Sequence, residues 1–202
     1  MRNLLVIAVC LLLLGSGLVT AAPLQWAVSD GGNGHWYEAA LVQQGIMWEA
    51  SKLAAENTGG YLATITSDAE NNFVYGLIQG RPEFWMMGEH DGPWLGGYQD
   101  RNDPSYSEPL GGWRWVSGEP WTYSNWASVQ PDNLSGVQDY LHYWDGANWD
   151  DAGGPYSPVQ LYYGYVVEWD NNPIPEPSSL LALACGLCGL ARMVWRRKEP
   201  KR

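Results

Sequence analysis

From Trp121 to Asp151 the chain reads WTYSNWASVQPDNLSGVQDYLHYWDGANWDD, with tryptophans and glycines, few aliphatic residues and no Lys or Arg. Gln130, Asp132, Asn133, Gln138, Asp139, Asp145, Asn148, Asp150 and Asp151 crowd carboxylate and amide oxygens into it. Such a segment cannot bury itself as an amphipathic helix, so it reads as a long irregular loop displayed by a scaffold built elsewhere in the chain. Clustered hard oxygens on an irregular loop suit the flexible coordination of Ca2+ better than Mg2+ or a thiolate-seeking metal. The same Asp, Asn and Gly also suit a surface loop made only of turn formers.

Both ends of the chain carry targeting patterns. Arg2 precedes an apolar run from Leu4 to Leu14, and Val19 and Ala21 are the small residues of a cleavage site. Residues 1–22 therefore read as a secretory signal peptide cut after Ala21 or Ala22, with an uncleaved anchor as the alternative. At the other end, Pro175-Glu176-Pro177 is followed by an uncharged, mostly apolar run from Ser178 to Ala191. Arg196, Arg197, Lys198, Lys201 and Arg202 close the chain. A helix from Ser178 to Trp195 would rise roughly 27 Å, enough to cross a bilayer with Arg192 snorkelling to the basic side. Residues 173–202 resemble the PEP-CTERM sorting signal of exopolysaccharide-producing bacteria. That resemblance implies processing by an exosortase-type enzyme and release to the cell surface or matrix; a plain single-pass membrane anchor is the alternative.

Residues 23–172 remain, a length that suits one domain with its own core. From Pro23 through Glu176 four bases (Lys52, Arg81, Arg101, Arg114) stand against 21 acids, the full 22 less Glu199, for a net of −17. Nucleic acid is excluded as a partner on charge. Cys10, Cys185 and Cys188 all lie in the terminal segments, so no disulfide staples the domain, and 13 Trp with 12 Tyr must supply the packing.

Within the domain, Trp48 to Thr58 carries Trp48, Ala50, Leu53, Ala54 and Ala55 as the apolar part of a helix that stops at Gly59-Gly60. Ser67 and Glu70 have capping-box spacing ahead of a second helix with Phe73, Val74, Leu77 and Ile78 as its apolar face. Tyr61 to Ile65, Trp94 to Asp100, Trp113 to Val116 and Tyr165 to Trp169 read as strands. GIMWEASKLAAENTGGYLATITSDAENNFV, Trp94-Leu95-Gly96-Gly97, the approach Ser117 to Trp126, Gln130-Pro131-Asp132 and Trp149-Asp150-Asp151 together resemble, in order, a C-type lectin domain. The resemblance covers about Ala27 to Asp170. It implies an α+β C-type lectin-like fold, with two helices flanking small antiparallel sheets, a long calcium and ligand loop and, here, no disulfides. Tyr140 and Val167 stand where two of the family's cysteines would fall.

Carried onto this chain, the resemblance implies that Gln130, Asp132, Gln138, Asp150 and Asp151 bind both Ca2+ and the carbohydrate, with Pro131 in cis. Gln138 replaces the family's usual Glu and Asp150 its usual Asn, so three carboxylates remain. A Gln-Pro-Asp tripeptide implies galactose-type hydroxyl geometry, yet Asn133 to Val137 lacks the tryptophan that usually follows it. Trp144 and Trp126 are the candidates to stack on a sugar, each with a core role as the alternative. His35, His90 and His142 form no metal spacing. No nucleophile motif is present, so an enzyme is not expected. The leading reading is an exported, calcium-dependent carbohydrate-binding protein. The second is the same fold used for calcium-independent protein contact or matrix structure.

Overall fold

The computed structural model describes residues 22–174 apart from 87, 89 and 156–159. The expected signal peptide and nearly all of the sorting segment lie outside the described residues, as do all three cysteines. Among the described residues no helix is long and apolar enough to cross a membrane.

The longest strand is one that the sequence reading did not contain. β2, Trp36–Ile46, follows the two-residue β1, Leu24–Gln25, and pairs antiparallel with the last strand, β8, Tyr162–Trp169. Trp36 faces Trp169 and Leu41 faces Gly164, so the two ends of the domain are zipped together. β8 also receives β3, Tyr61–Leu62, and runs parallel to β4, Trp94–Gln99. β4 then carries β5, Trp113–Trp115, and β6, Tyr140–Trp144, and β6 returns as β7, Asn148–Ala152. The path is β1-β2-β8-β4-β6-β7, with β3 and β5 attached to β8 and β4. Instead of small antiparallel sheets there is one mixed sheet, because the β4–β8 contact is parallel. Gly96 and Gly97 of β4 are required by close approach. A Cβ at Gly96 would sit 2.4 Å from the Leu62 carbonyl oxygen, and one at Gly97 2.7 Å from a Leu141 methyl.

Two helices pack on this sheet. α1, Trp48–Asn57, buries Trp48, Ser51 and Ala55 and leaves Leu53 exposed, so its inner stripe is narrower than the alanine-rich sequence suggested. α2, Asp68–Gly76, is capped by Ser67, whose hydroxyl accepts from the Glu70 amide at 3.2 Å. The second half of the expected capping box is not made. Glu70 turns instead to the amide and hydroxyl of Thr66 at 2.7 and 2.8 Å and to the hydroxyl of Tyr37 at 2.6 Å.

Aromatic rings do the work of the missing disulfides. Tyr140 lies flat on Trp48 at 4.2 Å and 3°, within a cluster that also holds Val167, Trp94 and Trp169. On the other side, Trp115, Trp121, Trp126 and Trp149 meet edge to face and stacked around Leu141, Tyr143 and Ile65. Each such pair contributes about 0.5–1.5 kcal/mol beyond area burial, so a few of them match the 2–4 kcal/mol of a typical disulfide.

Candidate functional site

The acid-rich segment is half loop and half hairpin. Asp145 and Gly146 carry φ of 44° and 75° and join β6 to β7, an Asp-Gly turn between two aromatic runs. Along β7, Trp149 faces Tyr143, Asp150 faces His142 and Asp151 faces Leu141 across the ladder. Because successive strand residues point to opposite faces, Asp150 and Asp151 project from different sides of the sheet.

Asp151 lies on the loop side. Its Oδ1 accepts the Asp132 amide at 2.9 Å and its Oδ2 the Asn133 amide at 2.8 Å. Asp132 accepts the Leu134 amide at 3.0 Å, and Asn133 Oδ1 accepts the Gln138 amide at 3.0 Å. Gln138 closes the ring: its Oε1 takes the Leu134 amide and its Nε2 donates to the Asp151 carbonyl at 2.7 Å. The two partners fix the orientation of that side-chain amide, one being a donor and the other an acceptor. Asp132, Gln138 and Asp151 are thus brought together, with Asn133, which the sequence reading left out of the set. Its φ of 45° is a left-handed conformation that Asn tolerates, and the Asp-Asn-x-Ser-Gly spelling was the available signal. Burial lifts the Asp151 carboxyl to about 6 even though two backbone amides favour its anion.

Gln130 precedes a cis peptide to Pro131, the isomer expected from the family tripeptide. Its Oε1 is buried without a hydrogen-bond donor among the described residues. Asp150 stands apart on the far face, with Oδ2 3.6 Å from His142 Nε2 and Oδ1 likewise buried without a donor. Two of the five expected ligands therefore carry orphaned oxygens, the atom type that a hard cation takes. The other three are answered within the loop, largely by its backbone amides. No group of three or more His, Cys, Asp or Glu among the described residues is arranged to hold a metal ion. Gln130, Asp132, Gln138 and Asp151 fit Ca2+ by donor chemistry; Asp150, on the opposite face of β7 beside His142, does not face that set.

Neither candidate stacking residue is offered to a ligand at this loop. Trp126 packs on Trp113 at 4.8 Å and on Trp121 and Trp149, and Trp144 lies at the hairpin end of β6 with His90 at 4.7 Å. The loop's outward apolar side chains are Val129, 85% exposed at φ 70°, and Leu134, 64% exposed.

With this geometry in place, comparison with known proteins is decisive on family. The Lectin C-type domain profile matches residues 44–154, more than half of the chain. The chain belongs to the C-type lectin domain family. A perlucin-like protein of Mytilus galloprovincialis is 31% identical over 110 residues, covering 53% of this chain and 62% of that protein, so less than two thirds of the relative is spanned. The cow C-type carbohydrate-recognition domain of CD23, solved in the presence of a GlcNAc2Man3 oligosaccharide, superposes with a TM-score of 0.53 at 18% identity. It covers 76% of this chain and 97% of its own. A calcium-independent type II antifreeze protein superposes with a TM-score of 0.52 at 17% identity, over 75% of this chain and 94% of its own. At such identities the two structures establish the shared fold alone.

Proposed function

We propose that this C-type lectin domain is a calcium-dependent carbohydrate-binding module of an exported bacterial protein, acting at the cell surface or in an exopolysaccharide matrix. The observation that carries the reading is the buried, donorless Oε1 of Gln130 together with the carboxylate and amide oxygens of a loop already folded around Asp132, Gln138 and Asp151. Ca2+ would supply the charge those oxygens lack and a coordination position for two vicinal hydroxyls of a sugar. The residues' own part is to preorganise the loop: Asp151 clamps the Asp132 and Asn133 amides before any ion arrives. Without an aromatic platform at Asn133 to Val137, one site should bind a simple galactose-type sugar weakly and hold a repeating glycan by avidity. Calorimetric calcium titration of residues 23–172, followed by a glycan array with and without chelator, tests this. Heat released on calcium addition and chelator-sensitive glycan retention are expected; retention indifferent to chelator would sink the calcium role.

One observation favours a second reading. The Gln138 amide already satisfies the Asp151 carbonyl, so the loop is closed without an ion, and a calcium-independent type II antifreeze protein shares the fold. Under that reading the domain serves calcium-independent contact or matrix structure.

Location rests on the sequence of the two ends. An exosortase-type enzyme acting at Pro175-Glu176-Pro177 would leave mature protein without Arg196 to Arg202. A C-terminal peptide containing Trp195 and Arg196, recovered by mass spectrometry from envelope material, would instead establish a retained membrane anchor.

A further inference from the structure

We propose that Arg101 is a positioning residue for the ligand loop, a cation built into the chain that ties the turn at Gly136 to the buried Asp139 carboxylate and so holds Gln138 and Asp151 in place. The role rests on the reading of that loop as a calcium-dependent carbohydrate site. From Trp121 to Asp151 the chain has no base of its own. Of the domain's four, Lys52 pairs with Glu56, Arg81 with Glu83, and Arg114 with Asp100 and Asp103. Arg101 follows β4 in a turn closed by the Asp103 amide on the Asp100 carbonyl at 3.0 Å, with the Asn102 amide on Asp100 Oδ1 at 2.9 Å. From that turn its side chain reaches the loop: Nε donates to Asp139 Oδ1 at 2.9 Å and Nη2 to the Gly136 carbonyl at 3.2 Å. Donors held in a planar fork are what a guanidinium offers and an ammonium does not.

Each partner has its own part. Asp139 is 2% exposed and its backbone is fixed on both sides, the carbonyl accepting the Gln99 amide at 2.7 Å and the amide donating to the Gly153 carbonyl. A buried carboxylate needs a paired charge, and Arg101 supplies it from a side chain 31% exposed. Gly136 carries the tie into the loop. Its amide donates to the Asn133 carbonyl at 2.7 Å. Asn133 in turn takes the Gln138 amide on Oδ1 at 3.0 Å and gives its own amide to Asp151 Oδ2 at 2.8 Å. One continuous set of bonds therefore runs from Arg101 through Gly136 and Asn133 to two of the expected ligands. The backbone it crosses is left-handed at Asn133, Ser135 and Gly136, with φ of 45°, 63° and 74°. Residues other than glycine hold such values only where the surroundings over-determine them. Asp151 fixes one end of this strained turn and Arg101 the other, so the loop has its shape before an ion arrives.

The test compares the full parent chain with Arg101→Ala and Arg101→Lys by calorimetric calcium titration and peptide-level hydrogen exchange. A loop that is preorganised in only a fraction of molecules binds more weakly by that fraction. Arg101→Ala should therefore weaken calcium binding about tenfold, the lower end of what outer partners of metal ligands contribute. In chelator, exchange at 133–139 should rise by a matching factor while β2 and β8 exchange as in the parent, and saturating calcium should close the difference. Arg101→Lys keeps the charge beside Asp139 and gives up the tie to Gly136, so it should stay folded and lose about threefold, the lesser net value of one hydrogen bond. It carries the test if Arg101→Ala does not fold. Calcium binding in the folded variants equal to the parent's, with exchange at 133–139 unchanged, would overturn the role and leave the site reading standing. Loss of protection across β2 and β8 in Arg101→Lys would make Arg101 a purely structural residue and overturn the role as well. A parent that takes up no calcium would instead overturn the site reading itself, and the role with it.

Discussion

Two acid-rich regions of this domain solve the same electrostatic problem in opposite ways. Near the zipped ends, Glu70 and Glu168 are both buried and share Tyr37, whose hydroxyl lies 2.6 Å from one carboxylate and 3.0 Å from the other. Asn33 donates to Tyr37 and Glu70, His35 sits 2.7 Å from Glu168 Oε1, and the Thr64 amide donates to Glu168 Oε2 at 2.8 Å. Every one of these carboxylates is answered by side chains and backbone of the protein itself. At the loop, Asp151 is answered by backbone, but Gln130 keeps an oxygen with no donor, as does Asp150 on the opposite face of β7. A buried acceptor left unpaired costs about 1–3 kcal/mol, which a folding core has no reason to tolerate. The first region is therefore closed on itself, and the second keeps acceptors that the protein's own donors leave unmet.

Trp149 is where the two regions meet. Its indole donates to Asn71, next to Glu70, at 2.9 Å, while its backbone holds Asn125 and Ala127 of the approach to the loop. Trp149→Ala should remove the indole bond to Asn71 and the ring packing beneath the loop approach while keeping the backbone bonds, costing about 3–5 kcal/mol in urea unfolding and weakening any calcium response. A loss below 1 kcal/mol would mean that the tryptophan cluster around it is not the core. Tyr37→Phe should separate the regions. With the shared hydroxyl gone, unfolding stability should fall by about 1–3 kcal/mol while calcium titrations stay unchanged. A changed calcium affinity in Tyr37→Phe would show that the regions are coupled after all.

The difference between the regions also tracks what could be read from the sequence. The loop side was legible because Gln130-Pro131-Asp132 and Trp149-Asp150-Asp151 are local spellings with fixed spacing. Both helices were placed within a residue or two from caps and glycine stops. β2 was not legible. Trp36 to Ile46 alternates poorly, since one flank is paired only at Trp36 and Tyr37 by the short β1 and the strand is only partly covered, and its long partner β8 lies more than a hundred residues away. The Glu70–Tyr37–Glu168 network depends on that pairing and was invisible for the same reason. In the acid-rich stretch the error ran the other way. Tyr140 to Trp144 and Asn148 to Ala152 were folded into a loop although the Asp145-Gly146 turn between aromatic runs is a hairpin signal. Only the hairpin puts Asp150 and Asp151 on opposite faces.

Gln138 is the residue through which the loop can be pushed toward either solution. Gln138→Glu removes the donor to the Asp151 carbonyl and adds a carboxylate to the oxygen set. Without calcium the variant should lose about 1 kcal/mol, the net value of one hydrogen bond. With calcium it should bind more tightly and show a larger rise in melting temperature than the parent, because a fourth negative ligand joins the site. An unchanged calcium response in a folded Gln138→Glu would move the loop into the structural class with the Glu70–Glu168 region.

The smallest expected effect belongs to the closed region and is one of pH. His35 is raised above its usual 6.5, first by its hydrogen bond to Glu168 and further by Glu168, Asp170 and Glu119 around it. Burial raises Glu168 above 4.5 as well, so the native state holds its protons to higher pH than the unfolded chain at both groups. By linkage, stability falls with rising pH wherever the native state binds more protons. The His35 contribution is thus complete below 6.5 and is lost as pH climbs through the raised native value. With its side chain 26% exposed, this amounts to about 1 kcal/mol or less. Urea unfolding of the parent above pH 6.5 should show that decline, and His35→Gln, which keeps a donor without the titration, should flatten it. Above about pH 7 the loop region adds little to the slope, because Asp151, lifted to about 6, is by then mostly ionised. A slope that survives His35→Gln would place the shared proton elsewhere in the Tyr37 network.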